Sequence, residues 1–415
     1  MDKLVVNGSL ELKGSIDISG AKNAVLPLMA ATLLTKGLHK ISRVPDLKDT
    51  QTFLRLLEML GAKTNFNDGE LVVESSNINS VEAPYELVQK MRASIIILGP
   101  LLARKGEAKI AFPGGDELGP RPVQMHLDAL EKMGAHFTLD HGVLTGRSDG
   151  LKGVEINLPY ASVGATENTL LAAVLAEGKT VIENAAREPE VVDLVEMLKK
   201  MGAEITGAGT SEITIEGVKK LNPTNHEVVG DRIAAGTFLS AFLATHGSGI
   251  VRGINPENLP MEIKKFKEIG AEIKVEDNSI EISYDGNLNA VELSTLPFPG
   301  VATDLQPVFG ALLLKASGTS IITENVYDQR FQWIPEVQRM GASVQTGWQH
   351  AMIKGVNSLS GAPVNSTDIR TGASLVIAAL QADGSSKITG IEHINRGYED
   401  IVASLNSLGS KIEYN

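Results

Sequence analysis

Six apolar segments of this chain open on polar phrases: Ser19-Gly20-Ala21-Lys22-Asn23, Met91-Arg92-Ala93-Ser94, Ser162-Val163-Gly164-Ala165-Thr166, Gly230-Asp231-Arg232, Ala302-Thr303-Asp304-Leu305 and Thr367-Asp368-Ile369-Arg370. Several pair a side chain able to cap a helix with a Lys or Arg. A helix N-terminus carries about half a positive charge and free N–H groups, so a cation there completes a seat for phosphate or carboxylate. Capping plus solvated charge would account for any single phrase. Six parallel occurrences favour ends that converge on an anionic ligand. The chain carries a net charge of −12, which gives no general attraction to nucleic acid, so an anion must be held by a local cluster.

One loop adds a candidate catalytic group. From Phe112 to Pro122 the chain alternates hinge-like glycines and stiff prolines around Asp116, Glu117 and Arg121. Such a loop is a candidate lid carrying a catalytic group; the alternative is a tolerated surface insertion.

The elements that must position these groups recur six times. An amphipathic stretch stops at Leu60-Gly61-Ala62, Met133-Gly134-Ala135, Met201-Gly202-Ala203, Ile269-Gly270-Ala271, Met340-Gly341-Ala342 and Leu408-Gly409-Ser410, at intervals of 68 to 73 residues. Each interval is long enough to hold a βαβαββ unit and too long for the common solenoid repeats. The glycine is what a helix C-terminus needs, because the residue past its end turns left-handed. Each unit has one amphipathic helix, such as Val191, Leu194, Val195, Leu198 and Met201 with Asp193, Glu196, Lys199 and Lys200 between them, which belongs at the surface. Each also has a helix apolar all round, as in Ala24 to Leu34, Ile95 to Ala103, Thr169 to Ala176, Ala234 to Ala244, Val308 to Ala316 and Ala373 to Ala382, which belongs inside. Hairpin turns fall at Asn67-Asp68-Gly69, Asp140-His141-Gly142 and Asp277-Asn278. From starting glycine to Gly-Ala glycine the second unit spans 28 residues against 23 to 25 elsewhere, and the surplus lies in the Phe112 to Pro122 loop.

Composition narrows the function classes. With 43% hydrophobic and 21% charged residues the chain is an ordinary globular protein, and the absence of cysteine excludes disulfides, thiolate metal sites and a thiol nucleophile. A cytoplasmic location is expected, with no secretory leader and no apolar run near the ~18 residues of a membrane span. The eight histidines show no paired ligand spacing; His136 with His141 is weak as a metal site, since His141 falls in a turn. Gly207-Ala208-Gly209 is followed by strand-like residues, so it fails as a dinucleotide fingerprint. The Lys219 to Asn225 stretch interrupts the pattern after the third unit and divides the chain into similar halves, a natural setting for a ligand cleft.

Ser19 to Ala24, Met91 to Ser94, the Pro113 to Pro122 loop, Glu183 to Glu190, Thr303-Asp304, Gln329-Arg330-Phe331, Thr367 to Arg370 and Arg396-Gly397-Tyr398-Glu399 together resemble the UDP-N-acetylglucosamine 1-carboxyvinyltransferase family, one branch of the enolpyruvyl transferases. The likeness runs end to end. It implies an α/β fold of two inside-out barrel-like domains, each of three βαβαββ repeats, with residues 21–229 forming one domain and residues 1–20 plus 230–415 the other. It implies transfer of enolpyruvyl from phosphoenolpyruvate to the 3′-hydroxyl of UDP-N-acetylglucosamine, the committed step of bacterial peptidoglycan synthesis, without metal or cofactor and with no nucleic-acid or membrane partner.

The same resemblance assigns the residues. Lys22, Arg92, Arg121, Arg330, Arg370 and Arg396 become the cationic clamp on phosphoenolpyruvate; Asp304 becomes the base, Lys22 the charge stabiliser and Asp116 the acid that protonates C3. Arg396 and Lys22 count among the catalytic groups. Arg121, Pro122, Val123, Ser162, Val163 and Gly164 would contact uridine and diphosphate, Asn23 the sugar, and Val326 and Asp368 complete the substrate-binding set. Most members have a cysteine, alkylated by fosfomycin, where this chain has Asp116; some also have a lysine near Tyr160 and an aromatic residue near Ile96. Two alternatives are weighed. The sister enzyme making 5-enolpyruvylshikimate 3-phosphate opens on Gly-Ser-Lys-Ser, whereas this chain has Gly20-Ala21-Lys22-Asn23. A silent UDP-sugar-binding regulator would not need Lys22, Asp116, Asp304 and Arg396 intact.

Overall fold

The computed structural model describes residues 3–89, 91–111, 123–284 and 286–415, with Arg92 through its backbone. The chain forms two compact units, one made of the segment ending at Ser19 together with Gly230–Asn415, the other running from Gly20 to Val229. Among the described residues there are six four-stranded sheets, three in each unit, all of one design. In one of them Glu155–Asn157 runs parallel to Lys179–Glu183, which pairs antiparallel with Glu212–Glu216, which pairs antiparallel with Glu204–Thr206. The parallel step requires a crossover, and the Val163–Ala173 helix provides it. Alternation sets the inner face: Thr180 and Ile182 are buried opposite Ile215 and Ile213, with Lys179 and Glu183 turned outward.

The repeat is therefore βαβαββ, as the sequence implies, but the chain does not fill it in order. Lys13–Asp17 leads into the Lys22–Ala31 helix yet pairs with Ser248–Arg252, and Asn225–Glu227 leads into the Arg232–Ala244 helix yet pairs with Leu38–Ser42. Each unit thus receives an edge strand from the segment preceding the other unit's first inner helix. Leu4–Asn7 fills the slot between Ser385–Thr389 and Lys411–Tyr414. The Asn225–Glu227 edge is pinned by His226, whose Nε2 lies 2.8 Å from Asp193 Oδ1 and Nδ1 3.1 Å from Lys200 Nζ. An ammonium only donates, so Nδ1 accepts and the ring proton sits on Nε2, facing the carboxylate.

All six repeat glycines have positive φ, between 92° and 120°. Helices apolar all round are buried as expected: every residue of Ile369–Gln381 is buried, and this helix packs on Gln306–Leu312 and Arg232–Ala244 within its unit. In the other unit Leu98–Lys105 packs on Val163–Ala173. Small residues permit this approach; a Cβ at Gly99 would stand 2.4 Å from Asn168 O.

One inner helix starts later than expected, and a second is preceded by a turn of the same kind. The segment expected to be helical from Ile95 is a 3-10 turn over Arg92–Ile97 before the Leu98–Lys105 helix, and Thr303–Leu305 is a 3-10 turn before Gln306–Leu312. Pro100 and Pro307 have no N–H to donate to the preceding turn, so α-helical bonding cannot run back through them and the tighter turn takes over. Both turns carry residues singled out for chemistry, Arg92 and Asp304.

His39 gives the fold a pH signature. It is fully buried with neither ring nitrogen hydrogen-bonded, and burial pushes it down to about 4, Glu74 opposing and Arg104 assisting. The unfolded imidazole takes a proton below about 6.5 while the folded one resists until about 4, so stability is full above pH 6.5 and declines towards pH 4. The difference amounts to roughly 3 kcal/mol. Urea midpoints at pH 7 and pH 4.5 should show His39→Phe losing part of the native chain's acid sensitivity; equal slopes would remove His39 as a cause.

Candidate active site

In the Gly20–Val229 unit, Lys22 is the first residue of the Lys22–Ala31 helix, and its Nζ lies 2.9 Å from Asp49 Oδ2 with both side chains nearly buried. Asp49 stands in the first turn of Lys48–Met59. A buried cation needs such a partner, and the pair fixes the direction of the ammonium. Asn23, next along, is exposed. Ser162 caps Val163–Ala173, its Oγ accepting from Ala165 N at 3.3 Å. The Ser162-Val163-Gly164 turn is held from behind: a Cβ on Gly164 would meet His126 Cε1 at 3.0 Å. His126 Nδ1 lies 3.1 Å from Asn168 Nδ2, which also donates to Ile95 O, while Asn168 Oδ1 accepts from Gly99 N at 2.7 Å. This network ties the 162–164 turn to the 3-10 turn carrying Arg92. Val123 is buried at the N-cap of Gln124–Lys132. Asp116, Arg121 and Pro122 lie outside the described residues.

Three carboxylates, Glu167, Glu188 and Glu190, are buried in the same unit. Burial pushes Glu167 well above the usual carboxylate range, with the charges of Glu190 and Glu188 adding to the rise. Glu167 therefore holds its proton where exposed carboxyls have lost theirs.

The other unit gathers the second half of the set. Asp304 Oδ1 lies 3.0 Å from an Arg330 guanidinium nitrogen and Asp304 Oδ2 lies 2.7 Å from one of Arg370. The arginine side chains are 5% and 6% exposed and the aspartate 23%. Arg330 stacks over the Tyr327 ring at 5.3 Å. Arg370 is placed by Asp368, which caps Ile369–Gln381 by accepting from Arg370 N and Thr371 N. Burial alone would lower the Arg370 guanidinium's pKa, but Asp304, Tyr398 and Asp231 outweigh it and hold the group charged. Burial raises the Tyr398 hydroxyl's pKa against the pull of Arg370, and the hydroxyl lies 2.8 Å from Thr237 Oγ1. Arg396 is half-buried in the turn before Gly397 and Tyr398; a Cβ on Gly397 would come within 2.4 Å of Ile369 Cγ2, so the turn lies close against the base of the Arg370 helix. Val326 N and Tyr327 N each donate to Glu324 Oε1 at 2.9 Å, shaping the loop that leads to Arg330.

Of the six opening phrases, Ser162, Asp231 and Asp368 cap their helices with side chains. The segments opening at Lys22, Arg92 and Thr303 have no side-chain cap. Sequence reasoning missed Asp49, Tyr398 with Thr237, and the His126–Asn168 support. Asp49 reads locally as an ordinary acid at a helix start. Tyr398 was visible only inside the Arg396 to Glu399 phrase. No local pattern points to His126.

A family model described as EPSP synthase (3-phosphoshikimate 1-carboxyvinyltransferase) matches residues 6–405. UDP-N-acetylglucosamine 1-carboxyvinyltransferase 2 of Carboxydothermus hydrogenoformans is 48% identical over 100% of this chain and 99% of its own length. UDP-N-acetylglucosamine 1-carboxyvinyltransferase of Thermotoga maritima is 46% identical with the same coverage. Among solved structures, the enolpyruvyl transferase NikO from Streptomyces tendae superposes with a TM-score of 0.91 at 25% identity, covering 100% of this chain and 99% of that one. EPSP synthase from Acinetobacter baumannii superposes with a TM-score of 0.79 at 21% identity over the whole of both chains, a likeness of fold.

Proposed function

The chain belongs to the EPSP synthase family by a match over residues 6–405, and within it we propose that it transfers the enolpyruvyl group of phosphoenolpyruvate to the 3′-hydroxyl of UDP-N-acetylglucosamine with release of phosphate. The observation that carries this reading over the shikimate one is full-length identity of 48% to a relative named for the UDP-sugar reaction. The Gly20-Ala21-Lys22-Asn23 opening supports the same choice.

Asp304 takes the 3′-hydroxyl proton, and the oxygen attacks C2 of phosphoenolpyruvate. Asp116 protonates C3, and Lys22, held by Asp49, meets the charge that develops on the phosphate. Loss of a C3 proton with cleavage of the C2–phosphate bond leaves the enol ether and phosphate. Arg92, Arg121, Arg330, Arg370 and Arg396 bind the two anionic ends of phosphoenolpyruvate, arginine being suited to planar, two-point recognition. Ser162, Val163, Gly164, Val123, Pro122 and Arg121 receive the uridine diphosphate, and Asn23, Val326 and Asp368 the sugar side. We place the reaction in the cytoplasm, as the step committing UDP-N-acetylglucosamine to peptidoglycan; no helix of the described residues is long and apolar enough to cross a membrane.

A phosphate-release assay with phosphoenolpyruvate separates the readings. Release is expected with UDP-N-acetylglucosamine and not with shikimate 3-phosphate; the reverse preference would assign the chain to the sister reaction.

A further inference from the structure

We propose that Asp304 is an internal stand-in for the anionic end of the substrate: its carboxylate neutralises Arg330 and Arg370, and an incoming carboxylate or phosphate takes over those guanidiniums and turns Asp304 free to act. The inference rests on the reading of Asp304 as the base and adds a gate to it.

Two guanidiniums almost fully buried side by side require a counter-anion, because a buried charge without a partner is strongly unfavourable. Asp304 supplies it through one oxygen to each, at 3.0 and 2.7 Å. These are single contacts, whereas an arginine offers a ligand carboxylate or phosphate two parallel N–H groups. Arg330 Nε is buried and has no hydrogen-bond partner, a donor of the fork that Asp304 leaves unused. The arginines are also the fixed members. Arg330 lies over Tyr327, and Arg370 rises from a capped, fully buried helix. Asp304 is the more exposed partner and sits in a single 3-10 turn with no side-chain cap at its start. When a ligand anion competes for the three-way cluster, the aspartate side chain is the one that can swing away. Its oxygens are turned to the arginines until that happens, so proton removal from the acceptor sugar is coupled to the arrival of the enolpyruvyl donor. A base that waits for both substrates cannot activate the sugar hydroxyl to no purpose.

The distinguishing consequence is that removing the base should strengthen binding of the donor. Titration calorimetry of the full chain with phosphoenolpyruvate alone is expected to show Asp304→Asn and Asp304→Ala binding roughly tenfold tighter than the native chain, since a competing charge at contact distance has gone. In an Arg330→Gln, Arg370→Gln background the further Asp304→Asn change should leave affinity within about twofold, which confines the gain to those two guanidiniums rather than to the general field. Native or weaker affinity in both single variants, or a gain that survives loss of both arginines, would overturn the proposal. Phosphate release measured on the same native sample reports the enolpyruvyl reading separately: no release refutes that reading, while the affinity comparison still decides whether Asp304 competes with the anion.

Discussion

Asp304→Ala should bind UDP-N-acetylglucosamine about as well as the native chain and release phosphate on the order of 10² to 10⁴-fold more slowly. A base acts on the reacting proton, so its loss falls on turnover and leaves contacts with the nucleotide in place. Asp304 is held between Arg330 and Arg370, whereas the diphosphate is assigned to a different segment, the Ser162–Gly164 turn. Arg396→Ala should instead raise the phosphoenolpyruvate requirement, because it removes part of the clamp. Steady-state rates with nucleotide affinity measured in parallel make the distinction. Near-native turnover in Asp304→Ala would remove the residue from the chemistry.

Asp116 carries the second large effect. An aspartate with a reference pKa of ~3.9 is protonated in about one molecule per thousand at neutral pH, so a carboxyl acting as the C3 acid must gain its proton from desolvation or from the negative charge of bound phosphate. Asp116→Asn cannot donate that proton and should lose most turnover. Asp116→Cys should keep activity, and the two acids should differ towards fosfomycin. A carboxylate is a far poorer nucleophile towards an epoxide than a thiolate, so the native chain should survive fosfomycin while Asp116→Cys is inactivated with time. Intact-mass analysis after exposure reads the adduct directly. A label on residue 116 of the native chain, or full activity in Asp116→Asn, would contradict the assignment.

Much of this architecture is legible in the residues because its causes are local. The glycines at 61, 134, 202, 270, 341 and 409 announce helix ends, since positive φ is what each position requires. The contrast between Val191–Met201 and Ala373–Ala382 tells outer helix from inner one through the apolar period alone. Strand partners are another matter. Alternation in Leu4–Asn7 fixes which face is buried, but nothing in those four residues says that they lie between Ser385–Thr389 and Lys411–Tyr414, close to the far end of the chain. The pairing of Lys13–Asp17 with Ser248–Arg252 and of Asn225–Glu227 with Leu38–Ser42 is equally unmarked in those strands themselves. In the site, Asp304, Arg330 and Arg370 were recognised by the phrases around them, while their mutual contacts cross 66 residues of sequence or fewer and follow from the fold. Asp49 was missed because an acid in a first helical turn is unremarkable until a lysine from another helix is found 2.9 Å away.

The central claim is the identity of the bond that is made. Incubating the chain with phosphoenolpyruvate carrying ¹³C at C2, together with UDP-N-acetylglucosamine, and following the label by NMR reads that bond directly. The account predicts that the labelled carbon appears as an enol ether on the 3′-oxygen of the sugar, one equivalent for each phosphate released. Label recovered only as pyruvate or, in a parallel sample with shikimate 3-phosphate added, transferred to it in preference to the nucleotide sugar, would contradict it.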